Sequence, residues 1–265
     1  MIKYDRIFLL FFVSPFLVAS VLGLVQIKEL RMPTSVRSGE VDELILDCDY
    51  EVRNVSGIEV KWFYNGNKDQ IYQWIPGRSA PGYPMGSLKN NIDATFQATD
   101  DKLTMYRALK LINVTHNLTG SYTCKVSGYT EEAVETKNLT IFVPAPDGLN
   151  LTIIPEEMSA ICSVSGIFPE PMLSLIIQNG NITNNTDYRV ENDVEREHGL
   201  YNKVTTLYFK NESMAANSEF ICMMKIPGTE YEITETRLYS TDNFSIRAHL
   251  DISLLPLCIL IMFLL

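Results

Sequence analysis

The chain has 265 residues, and 32 acidic side chains against 22 basic ones give it a formal net charge of −10 at pH 7. An acidic chain is a poor nucleic-acid binder, because affinity for phosphates requires a basic surface. About 220 residues lie between the apolar segments at the two ends, which is enough for two domains of ordinary size.

Residues 1–23 have the features of a secretory signal. Lys3 and Arg6 precede an apolar run over residues 7–18, and the small residues that follow predict cleavage after Ser20 or Gly23. A membrane anchor is the alternative, although the run is short for one. Secretion would bring the chain into an oxidising compartment, where paired cysteines form disulfides.

Residues 24–143 predict an immunoglobulin-like β-sandwich. Cys48, Trp62, Tyr122 and Cys124 have the spacing in which two cysteines join the sheets and a tryptophan on strand C packs on the disulfide. The tyrosine would bind the backbone at the corner before strand F. The 76 positions between the cysteines leave room for the additional strands of a variable-type domain.

Alternating apolar and polar residues place the strands of this domain. Trp62 on strand C is expected to point inward, with Lys61 and Phe63 on the outer side. On strand C′, Tyr72 and Trp74 share one face. The predicted strands are B at 44–48, C at 58–64, C′ at 70–75, E at 108–114, F at 122–127 and G at 137–143.

An aromatic cluster is expected on the outer side of the sheet that contains strands C, C′, F and G. If Tyr72 and Trp74 point outward, they join Lys61, Phe63 and Lys125 in a partner-binding surface. Aromatic side chains are enriched in protein interfaces and dominate their binding energy. In the alternative interpretation, Trp74 covers the bottom of the core.

Prolines in segment 143–148 predict a domain boundary, with a linker at 144–147 and a second sandwich at 148–239. Cys162 and Cys222 are sixty positions apart, which suits the smaller constant type. Its strand C lacks the tryptophan, so a leucine is expected there, Leu173 or Leu175.

Four cysteines remain between the terminal segments, and four cysteines allow three pairings. Each pair that brackets one run of strands is expected to bond, which gives Cys48–Cys124 and Cys162–Cys222. In the second domain Phe220 replaces the tyrosine before the cysteine, so the corner hydrogen bond is expected to be absent there.

The C-terminal end predicts a lipid (GPI) anchor. Residues 240–251 form a polar stalk that begins with a small-residue site at Ser240, and residues 252–265 form a hydrophobic tail that would be removed. Asn243–Ser245 is a second possible site, and a short single membrane span is the alternative. Either reading places the protein at the extracellular face of the plasma membrane.

Glycosylation sequons are dense, as expected for a surface outside the cell. Nine Asn-x-Ser/Thr sequences begin at Asn54, Asn113, Asn117, Asn138, Asn150, Asn181, Asn184, Asn211 and Asn243.

Four segments resemble the beaten path family of arthropod neuronal cell-surface proteins. They are Val60–Tyr64 (VKWFY), Ile71–Pro76 (IYQWIP), Gly82–Pro84 (GYP) and Gly120–Ser127 (GSYTCKVS). The resemblance spans roughly residues 26–143. It implies two immunoglobulin domains, secreted or lipid-anchored, whose first domain binds Sidestep-family receptors in axon guidance or synaptic partner choice.

Motifs of catalysis and metal binding are missing from the sequence. His116, His198 and His249 have no metal-ligand spacing, and no nucleophile elbow or phosphate-binding glycine loop occurs. We therefore expect no enzyme, no metal and no cofactor. The leading hypothesis is a cell-surface recognition protein for an immunoglobulin-superfamily receptor, and the alternatives are a homophilic or immune-type adhesion molecule and a secreted antagonist.

Overall fold

The computed structural model describes residues 23–179, 188–210, 214–215 and 218–239. They form two compact units that divide between Val143 and Pro144. Several sequence predictions lie outside the described residues: the signal up to residue 22, the stalk and tail at 240–265 with Ser240 and Asn243, and the sequons at Asn181, Asn184 and Asn211.

The first unit is a sandwich of two mainly antiparallel sheets, as predicted. Its strands are β1 (Leu24–Arg31), β2 (Ser35–Arg37), β3 (Glu43–Arg53), β4 (Glu59–Tyr64), β5 (Asp69–Trp74), β6 (Tyr83–Pro84), β7 (Ile92–Asp93), β8 (Leu109–Ile112), β9 (Gly120–Ser127) and β10 (Glu132–Phe142). One sheet has the order β1-β3-β8-β7, and the other has the order β2-β10-β9-β4-β5-β6. The six-stranded sheet contains the added strands of a variable-type domain.

The core of the first unit has the arrangement predicted from its cysteines. Cys48 and Cys124 are bonded with their Cα atoms 6.4 Å apart. Trp62 is fully buried opposite Cys124 in the strand pairing. The Tyr122 hydroxyl donates to the Leu118 carbonyl over 2.7 Å, which closes the expected corner before β9.

The second unit is a smaller sandwich of the constant type. Its strands are β11 (Asn150–Ile154), β12 (Ser159–Ile167), β13 (Met172–Gln178), β14 (Tyr188–Glu197), β15 (Leu200–Phe209), β16 (Glu219–Lys225) and β17 (Glu232–Leu238). A four-stranded sheet runs β11-β12-β15-β14, and a three-stranded sheet runs β13-β16-β17.

A disulfide and an aromatic cluster fill the second core. The bond joins Cys162 to Cys222. Leu175 is buried and lies opposite Cys222 in the strand pairing, so it takes the place that Trp62 has in the first unit. Phe220 is also fully buried, and its ring centroid lies 5.2 Å from that of Phe209. Phe220 has the position that Tyr122 has in the first unit, so an apolar contact replaces the hydrogen bond of the tyrosine hydroxyl.

Three short 3-10 helices complete the described elements, at Gly86–Asn91, His116–Leu118 and Pro155–Glu157. A membrane-crossing helix would have to be longer and more apolar than any helix found among the described residues.

Candidate binding face of the first domain

The outward side of the six-stranded sheet is the candidate site. Side chains alternate between the two sides of each strand, so cross-strand partners share a side. We call this side the front face. Its residues are Glu59, Lys61 and Phe63 on β4, Gln70 and Gln73 on β5, Tyr83 on β6, Thr123, Lys125 and Ser127 on β9, and Glu132, Val134 and Thr136 on β10.

The expectation that Tyr72 and Trp74 belong to this face is wrong. Their exposed fractions are only 1% and 2%. A β-bulge is the reason, because Phe63 pairs with Gln70 whereas Trp62 pairs with Tyr72, which leaves Ile71 without a partner on β4. Beyond the bulge Tyr72 is on the inward side beside Trp62, and Trp74 follows it inward.

The polar atoms of these two aromatic residues have partners inside the domain. The Tyr72 hydroxyl donates to the Tyr106 carbonyl over 2.9 Å, and the Trp74 indole N–H donates to the Ser79 carbonyl over 3.0 Å. Burial raises the pKa of the Tyr72 phenol above its ordinary value, so the hydroxyl stays a donor. Their roles are therefore structural, and the interpretation of Trp74 as a core residue is the correct one.

Lys61, Phe63 and Lys125 lie on the front face, as the sequence predicted. All three are partly exposed. Lys61 and Lys125 are direct cross-strand partners, and each is paired with an acid on the same face. The Lys61 Nζ is 2.7 Å from the Glu59 Oε2, and the Lys125 Nζ is 2.6 Å from the Glu132 Oε2.

Tyr83 and Val134 belong to the front face although they were not among the predicted site residues. They are 62% and 53% exposed. The pairings Tyr83–Gln73, Gln73–Lys61, Lys61–Lys125 and Lys125–Val134 form one continuous row across five strands. Phe63 and Thr123 lie in the neighbouring row, where the Thr123 hydroxyl is 2.8 Å from that of Thr136.

The front face is therefore a sheet surface with exposed apolar groups at both ends and neutralised charges between them. Such a surface offers contact area and hydrogen-bonding groups to a protein partner. Among the residues that the structure describes, no three His, Cys, Asp or Glu side chains are grouped so that they could hold a metal ion.

The sequons in the described residues all have exposed asparagines, at Asn54, Asn113, Asn117, Asn138 and Asn150. Asn138 pairs with Ser121 at one end of the front face. Asn54, Asn113 and Asn117 lie in the loops between β3 and β4 and between β8 and β9. Their exposure permits glycosylation, which stays a prediction.

Residues 41–144 match the family described as the CD47 immunoglobulin-like domain, of the V-set type. No curated protein sequence matches the chain. The matched segment covers the strands from β3 to β10 and includes every residue of the front face. Strands β1 and β2 lie before it.

Three solved structures are similar to this chain to different degrees. A crystal structure of bovine butyrophilin has 16% sequence identity and a TM-score of 0.56, covering 82% of this chain and 98% of that one. The extracellular portion of mouse CD200RLa has 13% identity and a TM-score of 0.45, with 76% and 95% covered. A structure of Rst D1-D2 has 15% identity and a TM-score of 0.45, with 82% and 98% covered. With two disulfide-bonded sandwiches and a V-set match in the first, the chain has a tandem immunoglobulin-like fold.

Proposed function

We propose that this protein is a cell-surface recognition molecule whose first domain binds an immunoglobulin-superfamily receptor on another cell. The observation that supports the proposal is the row from Tyr83 to Val134, which has an exposed apolar side chain at each end. Exposed apolar groups on one face are a common mark of a protein interaction site. Tyrosine is also one of the residues on which interface binding energy concentrates.

The finer proposal names a Sidestep-like receptor and a role in axon guidance or synaptic partner choice. Its support is the sequence resemblance to the beaten path family. Of the four resembling segments, Ile71–Pro76 packs largely in the core, whereas Gly82–Pro84 contributes Tyr83 to the front face. Tyr83 is thus the residue of the resemblance that is best placed to touch a partner.

Attachment to the membrane is proposed to occur through a lipid at Ser240. The test is to treat cells with a phosphatidylinositol-specific phospholipase, which we expect to release the protein. Retention on the treated cells would contradict the lipid anchor and favour the short membrane span, without affecting the proposal for the front face.

The binding proposal is tested with the full chain on cells and a panel of immunoglobulin-superfamily ectodomains that includes Sidestep-like receptors. We expect Tyr83→Ala to weaken the captured complex about tenfold or more, because truncating an aromatic residue on which binding energy concentrates typically costs about 2 kcal/mol. Val134→Ser should weaken it less, because it removes a smaller apolar surface.

Ile45→Ala is the matched control, because Ile45 is an exposed apolar residue on β3 in the opposite sheet. It should leave binding unchanged. All three variants should reach the cell surface at the wild-type level, since each replaces an exposed side chain. Equal binding by wild type, Tyr83→Ala and Val134→Ser would contradict the proposal that the front face is the contact surface.

A further inference from the structure

A second exposed apolar surface covers the outward side of the three-stranded sheet in the second domain. Met172, Ile176 and Leu238 there are 64%, 44% and 55% exposed. Cross-strand pairing places the partly exposed Ile221 and Met223 between the outer strands on the same side. We call this surface, with Ser174, Gln178, Glu219, Lys225, Glu232, Thr234 and Thr236, the outer face of the second domain.

The central strand of the outer face has opposite charges at its two ends. The residues of β16 that point outward are Glu219, Ile221, Met223 and Lys225, in that order. Within the part of the chain that the structure describes, neither Glu219 nor Lys225 forms an ion pair. The two charges are about 20 Å apart along the strand, and the apolar residues separate them.

This pattern is complementary to itself. When two copies of such a strand stack face to face in opposite directions, Glu219 of one lies over Lys225 of the other, and Ile221 lies over Met223. A two-fold axis then passes near residue 222, and every contact occurs twice, as in an isologous dimer. The reversed alternative, with strands in the same direction, would bring like charges together.

We propose that the outer face of the second domain binds a second copy of this chain. The three strands outline a surface well below the ~800 Å² that each partner contributes to a stable interface, so the pairing is weak and depends on a high local concentration. Glu232 is on the edge strand β17 and lies at the rim of the pair, where water solvates it. The inference does not rest on the function proposed for the front face, because it uses other residues in the other domain.

Charge reversal on the full chain tests the pairing. Two differently tagged copies are expressed in the same cells, and capture of one through the other is measured after brief cross-linking. We expect Glu219→Lys and Lys225→Glu each to reduce capture of its own kind roughly tenfold, because each places like charges in contact twice. The two single variants should capture each other at the wild-type level, because every contact between them is again attractive.

Glu195→Lys on the exposed strand β14 is the matched control for a charge change in the same domain and should capture itself normally. Rescue in the mixed pair cannot arise from misfolding, so it separates the interface from a structural effect. Failure of wild-type copies to capture each other would overturn the proposal. So would single variants that capture themselves as well as the wild type, or a mixed pair that is no better than either alone.

Discussion

Arg107 is a basic side chain that is almost completely buried and still fully paired. Its guanidinium reaches Asp47 through two hydrogen bonds of 2.8 and 2.9 Å, and it also contacts Asp49. Arg31 adds a 2.6 Å contact to Asp49. The Arg107 carbonyl accepts the indole N–H of Trp62 over 3.1 Å. One residue thus connects the charged surface of β3 with the core, and loss of its partners would leave a buried charge unpaired.

Asp49 should make the stability of the first domain depend on acid pH. Burial opposes its ionisation, but the attraction of Arg107 and the hydrogen bond from Arg31 outweigh burial and lower the pKa of Asp49. A pKa that is lower in the folded chain contributes stability above about pH 4, and this contribution is lost as the pH falls through the folded value. We expect the free energy of unfolding in urea to fall more steeply below about pH 4 for wild type than for Asp49→Asn. Asp42→Asn, at an exposed position, should behave like wild type, and identical curves for all three proteins would contradict the network's role.

Among elements, β5 shows where sequence patterns succeed and where they stop. The strands, the two disulfides and the inward direction of Trp62 follow from local alternation and cysteine spacing, and they are present as predicted. The bulge at Ile71 could not be read in this way, because it depends on burying two aromatic rings against distant residues such as Tyr106. A shift of one position in the pairing was enough to move Tyr72 and Trp74 from the expected front face into the core.

The lengths of two strands explain why Tyr83 and Val134 were not among the predicted site residues. Strand β6 has only two residues, too few for any periodic pattern to mark Tyr83. Strand β10 begins at Glu132, five positions before the predicted strand G, and Val134 lies in that additional part.

Gly82, directly before β6, lies very close to Tyr72 on β5. A Cβ atom on Gly82 would be 2.2 Å from the Tyr72 hydroxyl and 2.4 Å from the ring carbon that bears it. We expect Gly82→Ala to lower the free energy of unfolding by about 1–3 kcal/mol, because the buried ring has no room to move. In a Tyr72→Ala background the same change should cost little, and denaturation of the four proteins measures the coupling. An equal cost in both backgrounds would rule out the contact as the cause.

The molecule has two separate cores, so we expect each domain to have its own free energy of unfolding. The buried clusters around the two disulfides have no residue in common. Replacing both Cys162 and Cys222 by alanine should destabilise the second domain by about 2–5 kcal/mol, the typical effect of losing a native disulfide. Calorimetry of the full chain should show one transition moved to lower temperature and the other unchanged. Equal movement of both transitions would mean that the domains unfold as one unit.

The ion pairs of the front face have a consequence for the kinetics of recognition. Lys61 is paired within the face with Glu59, and Lys125 with Glu132, so these four side chains add no net charge with which to attract a partner over a long range. Association without electrostatic steering proceeds at ordinary rates of about 10⁵–10⁶ M⁻¹s⁻¹ and changes little with salt. Discrimination between right and wrong partners would then depend on how long each contact lasts. If the front face binds the proposed receptor, we expect the dissociation rate, set by the fit around Tyr83, to be the quantity that differs between right and wrong partners.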